Sequence, residues 1–96
     1  MTGIIIGTTE VTEPFAFAEY LRAVEAIVDH HGGRLIGAGR GIDVLEGDVP
    51  PEAAVVIEFD TVDAARRWYE SADYTSARRM RQRSGRSTVV LLDTRA

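Results

Sequence analysis

The chain has 96 residues, which allows one domain, residues 1–96, with a small core; a chain this short, folding alone, buries only ~60–65% of its surface. A composition of 45% hydrophobic and 27% charged residues excludes disorder, and no apolar run approaches the ~20 residues that span a membrane. The absence of Cys excludes a disulfide framework, a thiol nucleophile and a zinc–thiolate centre. Met1-Thr2-Gly3 lacks the basic start of a signal peptide, so a cytoplasmic location is expected. The net charge of −4 conceals an asymmetry: residues 1–65 carry three Arg against twelve Asp and Glu, and residues 66–96 carry eight Arg against three acids. The two halves can therefore attract each other within or between chains.

Ile4-Ile5-Ile6 is β-branched and predicts a strand. Thr12-Glu13-Pro14 opens a helix, with Thr12 or Glu13 at the cap and Pro14 where a missing N–H does no harm. Phe17, Tyr20, Leu21, Val24, Ile27, Val28 and His31 recur at three- and four-residue steps along it, and Gly32-Gly33 ends it. Arg34–Gly39 and Ile42–Glu46 predict a strand that continues or folds back, and Val49-Pro50-Pro51 is a stiff loop. Ala53–Phe59 is a strand; Asp60-Thr61 caps a helix with Ala65, Trp68, Tyr69 and Ala72 on its apolar face. After a break near Asp73, a third helical segment carries Tyr74, Ala77 and Met80 until Ser84-Gly85, and Thr88–Leu92 is the last strand.

The order β-α-β-β-α(α)-β is the ferredoxin-like plan of the α+β class, an antiparallel sheet with helices on one face. Such a sheet alternates apolar and polar residues when its other face meets water. Ile4-Ile5-Ile6 and Val89-Val90-Leu91-Leu92 are instead apolar on both faces. The expected cover for the second face is the same face of a second copy, giving a homodimer packed sheet to sheet.

His31-Gly32-Gly33-Arg34, Val44-Leu45-Glu46-Gly47, Val56-Ile57-Glu58-Phe59 and Ala64-Ala65-Arg66-Arg67-Trp68-Tyr69-Glu70-Ser71 with Tyr74 together resemble domain of unknown function family 1330. The likeness runs from about Ile4 to Asp93, and Trp68-Tyr69-x-Ser71-x-x-Tyr74 is its most specific part. It implies a dimeric α+β barrel, in which two four-stranded sheets close on each other. Distant relatives in that superfamily include cofactor-free monooxygenases and muconolactone isomerases, while the family itself has no assigned reaction. Members often carry Arg-Gly-Gly in the strand after the Gly-Gly turn; here Ala38 holds the Arg position, and Gly39 and Arg40 follow.

Five groups of residues could carry chemistry. His30-His31 are helical neighbours pointing ~100° apart, so they cannot share one ion; His31 lies on the apolar stripe and is the candidate acid–base group, with capping as its structural alternative. Glu58 interrupts an apolar strand in which Val55, Ile57 and Phe59 face the helices, so it shares Val56's face, the interior of a dimeric barrel; a buried carboxylate there needs a partner or a raised pKa, and the structural alternative is a carboxylate near the strand end that reaches solvent or an Arg. Trp68, Tyr69 and Tyr74 offer a stacking wall or plain core packing. Arg78, Arg79, Arg81, Arg83 and Arg86 fan around a helix and are expected to form a solvated face. Gly37-Ala38-Gly39-Arg40-Gly41 lacks dinucleotide-binding spacing but leaves room for a ligand beside Arg40. No nucleic-acid-binding motif, metal cluster or cofactor motif is present.

The expected site therefore lies between sheet and helices of one subunit. Glu58 and His31 are its candidate catalytic residues, and Arg40, Trp68 and Tyr74 its candidate substrate-binding residues. This set could bind a small acid and move its proton without a cofactor, or could be a buried ion-pair network. The function classes are a cofactor-independent enzyme of proton-transfer or monooxygenase type and a non-catalytic ligand-binding or structural homodimer.

Overall fold

The computed structural model describes residues 2–48 and 51–94. Its order is β1 (Gly3–Val11), α1 (Pro14–His30), β2 (Arg34–Gly39), β3 (Ala53–Phe59), α2 (Val62–Glu70), α3 (Ala72–Ser84) and β4 (Gly85–Asp93). The strands form one antiparallel sheet in the order β2-β3-β1-β4, so β1 is central and β4 is an edge. The fold is the ferredoxin-like α+β plan.

Strand alternation divides the sheet cleanly. Gly3, Ile5, Gly7, Thr9 and Val11 of β1 and Ala53, Val55, Ile57 and Phe59 of β3 are buried beneath the helices. Phe17, Tyr20, Val24 and Val28 of α1, Ala65 and Trp68 of α2, and Tyr74 and Ala77 of α3 complete that core. The opposite face carries the rows Val56–Ile6–Val90 and Glu58–Ile4–Leu92 across three strands. Val90 and Leu92 are 48% and 50% exposed there, so the second face of the sheet is apolar and uncovered within one protomer.

Local chemistry accounts for the boundaries. Pro14 occupies the first turn of α1, and Gly32, at φ +77°, supplies the left-handed residue that ends it. The Thr61 hydroxyl accepts from Ala64 N at 3.0 Å and caps α2. Ser71 ends α2 and begins α3: its hydroxyl donates to Trp68 O at 2.8 Å and accepts from Tyr74 N at 3.2 Å. The break expected near Asp73 therefore falls two residues earlier, and Ala72 is exposed instead of joining the apolar face of α2.

Three further expectations are corrected. β1 extends five residues past Ile6, because Thr8, Thr9 and Val11 are β-branched and both flanking strands pair with this stretch. β4 is likewise longer, starting at Gly85. Ile42–Glu46 is not a strand; β2 ends at Gly39 after a register shift between Leu35 and Gly37 that leaves Ile36 60% exposed. In the expected Val49-Pro50-Pro51 loop, Val49 and Pro50 lie outside the described residues.

Candidate functional site

The helices bring their aromatic residues together over the centre of the sheet. Trp68 and Tyr74 are both 1% exposed, with ring centroids 4.1 Å apart. The double hydrogen bond of Ser71 explains this: it sets the turn between α2 and α3 that stacks the two rings. Thus the spacing Trp68-Tyr69-x-Ser71-x-x-Tyr74 is a packing device as well as a signature. Phe59 and Tyr69 flank the pair at 5.5 Å from Trp68 and from Tyr74 respectively. From α1, the Tyr20 hydroxyl reaches the Tyr74 hydroxyl at 2.9 Å.

Two turns beyond Tyr74 on the same face of α3 lies Arg81, only 6% exposed. The expected solvated face holds for Arg79, Arg83 and Arg86, which are exposed, and is corrected at Arg81. The buried stripe of α3 is Tyr74, Ala77, Arg81 and Ser84, with Met80 at its margin, so one of the five Arg in the basic run enters the core. Ser84 holds the last turn in place: its hydroxyl donates to Arg81 O at 2.7 Å, and its carbonyl accepts from the backbone N–H of Thr12 and Glu13.

Tyr20, Trp68, Tyr74, Arg81 and Thr9 line a cavity of ≈ 10 Å³ together with aliphatic residues of β1, β3 and β4. That is room for about one water molecule. Gly7 helps to leave the space, having no side chain on this face. Beside the cavity a surface groove of ≈ 270 Å³ runs along the edge strand β4, lined by Tyr69, Arg81, Gln82, Gly85, Ser87 and Val89. Arg81 and Val89 line both spaces. Across the boundary Thr9 and Ser87 share a hydroxyl–hydroxyl bond of 2.9 Å. Within this cluster Trp68 Nε1 and Arg81 Nε are buried without a hydrogen-bond partner among the described protein atoms. Buried donors are ordinarily satisfied, so two orphans beside one cavity set this place apart from the rest of the core.

Burial raises the pKa of the Tyr20 phenol, the adjoining Tyr74 adds to the rise, and the nearby Arg81 cation opposes it. Tyr20 accordingly keeps its proton. The folded state holds that proton above the unfolded-chain pKa of ~10, so the stability it contributes is present below about pH 10 and falls as pH rises. The expected loss is ~1.4 kcal/mol per pH unit in that range. Tyr20→Phe should lower stability at neutral pH by about 1 kcal/mol through its hydrogen bond and flatten the alkaline loss. Urea unfolding at neutral pH and at about pH 11 checks this; an equally steep loss in the variant would assign it to another group.

The other expected site residues do not join this cluster. Glu58 registers with Ile4 on the uncovered face of the sheet, away from the helices. It accepts from Arg34 Nε at 3.0 Å, and the same guanidinium reaches Asp60 at 3.1 Å. Those two hydrogen bonds, that of Glu58 first, raise the Arg34 pKa. Arg40 lies beyond the end of β2, 3.9 Å from Glu52. Glu52 precedes β3 and Glu58 is near its end, so Arg40 and Glu58 are separated by most of a strand, roughly 20 Å at ~3.3 Å per residue. The expected convergence of Glu58 and Arg40 is therefore not formed in one protomer. His31 Nε2 is 3.0 Å from Asp73 and clasps the end of α1 to the start of α3. Only Trp68 and Tyr74 of the expected set meet, joined by Tyr20 from the apolar stripe of α1 and by Arg81 from the basic run of α3.

A broad, open depression of ≈ 570 Å³ at the far end of the sheet is lined by Thr8, Glu10, Glu52, Arg86 and neighbouring residues; its charged side chains are exposed, and none is an unsatisfied buried group. Among the described residues no three His, Asp or Glu side chains are grouped so as to hold a metal ion.

The sheet order, the helices on one face and the pocket between them define a ferredoxin-like α+β protein with a candidate small-molecule site inside each protomer. The chain belongs to the family of domain of unknown function DUF1330, whose profile matches residues 2–94. Among solved structures it is similar to a protein of unknown function from Rhodopseudomonas palustris, at 18% identity over 99% of this chain and 83% of that one, with a TM-score of 0.73. It is also similar to a dimeric ferredoxin-like protein of unknown function from Jannaschia, at 17% identity over 98% and 100% of the two chains and a TM-score of 0.73. A third likeness is to an ethyl tert-butyl ether d (ethd) family protein from Bacillus halodurans, at 12% identity over 99% of each chain and a TM-score of 0.67. At these identities the likeness is one of fold. No curated protein matches the sequence. Among the described residues no helix is long and apolar enough to cross a membrane.

Proposed function

We propose that this protein is a homodimer, packed sheet to sheet, in which each subunit binds a small organic molecule in the pocket between α2, α3 and the β1–β4 edge of its sheet. The observation that carries the binding role is the pair of orphaned buried donors, Trp68 Nε1 and Arg81 Nε, beside one cavity. An apolar core gains nothing from such groups, and a ligand with acceptor atoms satisfies them. Trp68 and Tyr74 form the wall, Arg81 stands between inner cavity and outer groove, and Tyr69 and Val89 border the entrance. The dimer is supported by the apolar rows on the uncovered face and by similar structures described as dimeric. Because the groove opens on the helix side of β4, sheet-to-sheet packing leaves it accessible. Glu58 and His31 take no part in this reading, since one faces the opposite side of the sheet and the other is engaged by Asp73.

Trp68 is the only tryptophan, so its fluorescence reports on the site without a label. Titration with a library of small neutral and charged aromatic and aliphatic compounds should yield ligands that shift or quench that emission, saturating at one molecule per subunit. A library that leaves Trp68 unperturbed, or binders that act only elsewhere, would refute the binding role.

A further inference from the structure

Among the described residues Arg81 is the buried cation, and no described acid pairs with it. The side-chain ion pairs among the described residues join Arg34 to Glu58 and Asp60, Arg40 to Glu52, and His31 to Asp73. Arg81 is in none of them, although the sequence carries fifteen Asp and Glu. Its Nε is buried without a protein partner while the group also borders the open groove, and a cation so largely withdrawn from water is ordinarily paired, because its desolvation otherwise goes uncompensated. Neither the inner cavity nor the adjoining groove is lined by a carboxylate.

The indole of Trp68 can only donate, and so can every nitrogen of Arg81. The Tyr20 and Tyr74 hydroxyls are joined by one hydrogen bond. Outside, the Arg78 guanidinium lies 5.2 Å from the centroid of the Tyr69 ring at the groove, adding a second positive charge near the entrance. Gln82, Thr9, Ser87 and the two phenols supply neutral acceptors, but no negative charge lines either space, so the pocket has positive charge in excess.

From this surplus we infer that the ligand is an oxyanion, a carboxylate borne by a small organic molecule, with Arg81 as its countercharge. The inference rests on the binding role proposed above and adds the class of molecule. A carboxylate matches a guanidinium in two parallel hydrogen bonds. The inner cavity has room for one carboxylate oxygen, and the groove of ≈ 270 Å³, with Val89 and the Tyr69 ring, has room for the organic body.

The test uses matched probes: acetate beside acetamide, benzoate beside benzamide, and cinnamate beside cinnamamide, followed by Trp68 fluorescence and calorimetry at constant ionic strength. At least one carboxylate should bind about tenfold or more tightly than its amide, the scale of a charge-assisted bidentate pair. Arg81→Gln should bring the two to parity, and Arg81→Lys should keep part of the preference. Should Arg81→Gln fail to fold, the ratio in the wild-type protein decides alone. If each amide binds as well as its carboxylate, the pocket is a site but the anion inference is wrong. If neither member of any pair perturbs Trp68 while other compounds do, the anion inference is likewise wrong. A preference that survives undiminished in Arg81→Gln would also overturn it.

Discussion

Trp68→Ala should destabilise the protein by about 3–5 kcal/mol, the range for removing a large aromatic side chain from a core. Trp68 touches the aromatic residues of β3, α2 and α3 at once, stacking on Tyr74 and packing against Phe59 and Tyr69. In a domain whose whole stability is of the order of 5–15 kcal/mol, that loss should lower the melting temperature by more than ~10 °C. Trp68→Phe should cost much less, because it keeps a ring in the stack and removes an N–H that has no partner in the protein. Urea unfolding followed by circular dichroism measures both. A melting temperature within a degree or two of wild type for Trp68→Ala would show that the aromatic cluster does not organise the core, and a Trp68→Phe as damaging as Trp68→Ala would show that the indole N–H is satisfied.

Ile6→Glu should convert the proposed homodimer to a monomer. Ile6 stands at the centre of the row Val56–Ile6–Val90 on the uncovered face. A twofold interface meets every substitution twice. An uncompensated buried carboxylate costs about 3–5 kcal/mol, so two should weaken association at least ~1000-fold, each 1.4 kcal/mol being a factor of ten. The side chain points away from the helices, so the protomer should keep its secondary structure and Trp68 environment. Sedimentation equilibrium distinguishes the outcomes. Wild-type protein that is monomeric at micromolar concentration, or a variant that dimerises as tightly as wild type, would remove the sheet-to-sheet dimer.

The candidate site was half legible from residue type. Trp68 and Tyr74 stand out because they are large, aromatic and spaced around a helix break. Arg81 does not, because it lies among Arg78, Arg79, Arg83 and Arg86 and charge density reads as a solvated face. The signal that could have found it is positional: Tyr74, Ala77, Arg81 and Ser84 follow the i, i+3, i+7, i+10 pattern of one helix face, and Arg81 falls on the stripe. Alternation places Glu58 with Val56 on the face away from the helices, as the structure has it, so Glu58 cannot share a pocket with Trp68 and Tyr74; which Arg meets it is set by the register across β2 and β3, which supplies Arg34.

Periodicity alone determined the element order, the apolar faces of α1 and α2, the bounds of β3 and the unsatisfied second face of the sheet. These follow from local geometry: a repeat of two for strands and 3.6 for helices, punctuated by Pro14, Gly32 and Thr61. The tertiary structure decided which face of α3 turns inward, which cation meets Glu58 and where β1 ends. Each depends on partners distant in sequence. Thr8 and Thr9 become strand because β3 and β4 lie on either side of them, Glu10 and Val11 because β4 continues alongside, and Arg81 becomes buried because Ser84 is tied to the residues that open α1 while Tyr74 is tied to Tyr20. A side chain's chemistry is written in the sequence, but its solvation is a property of what packs around it, and that is what turned one arginine of a basic run into the centre of the candidate site.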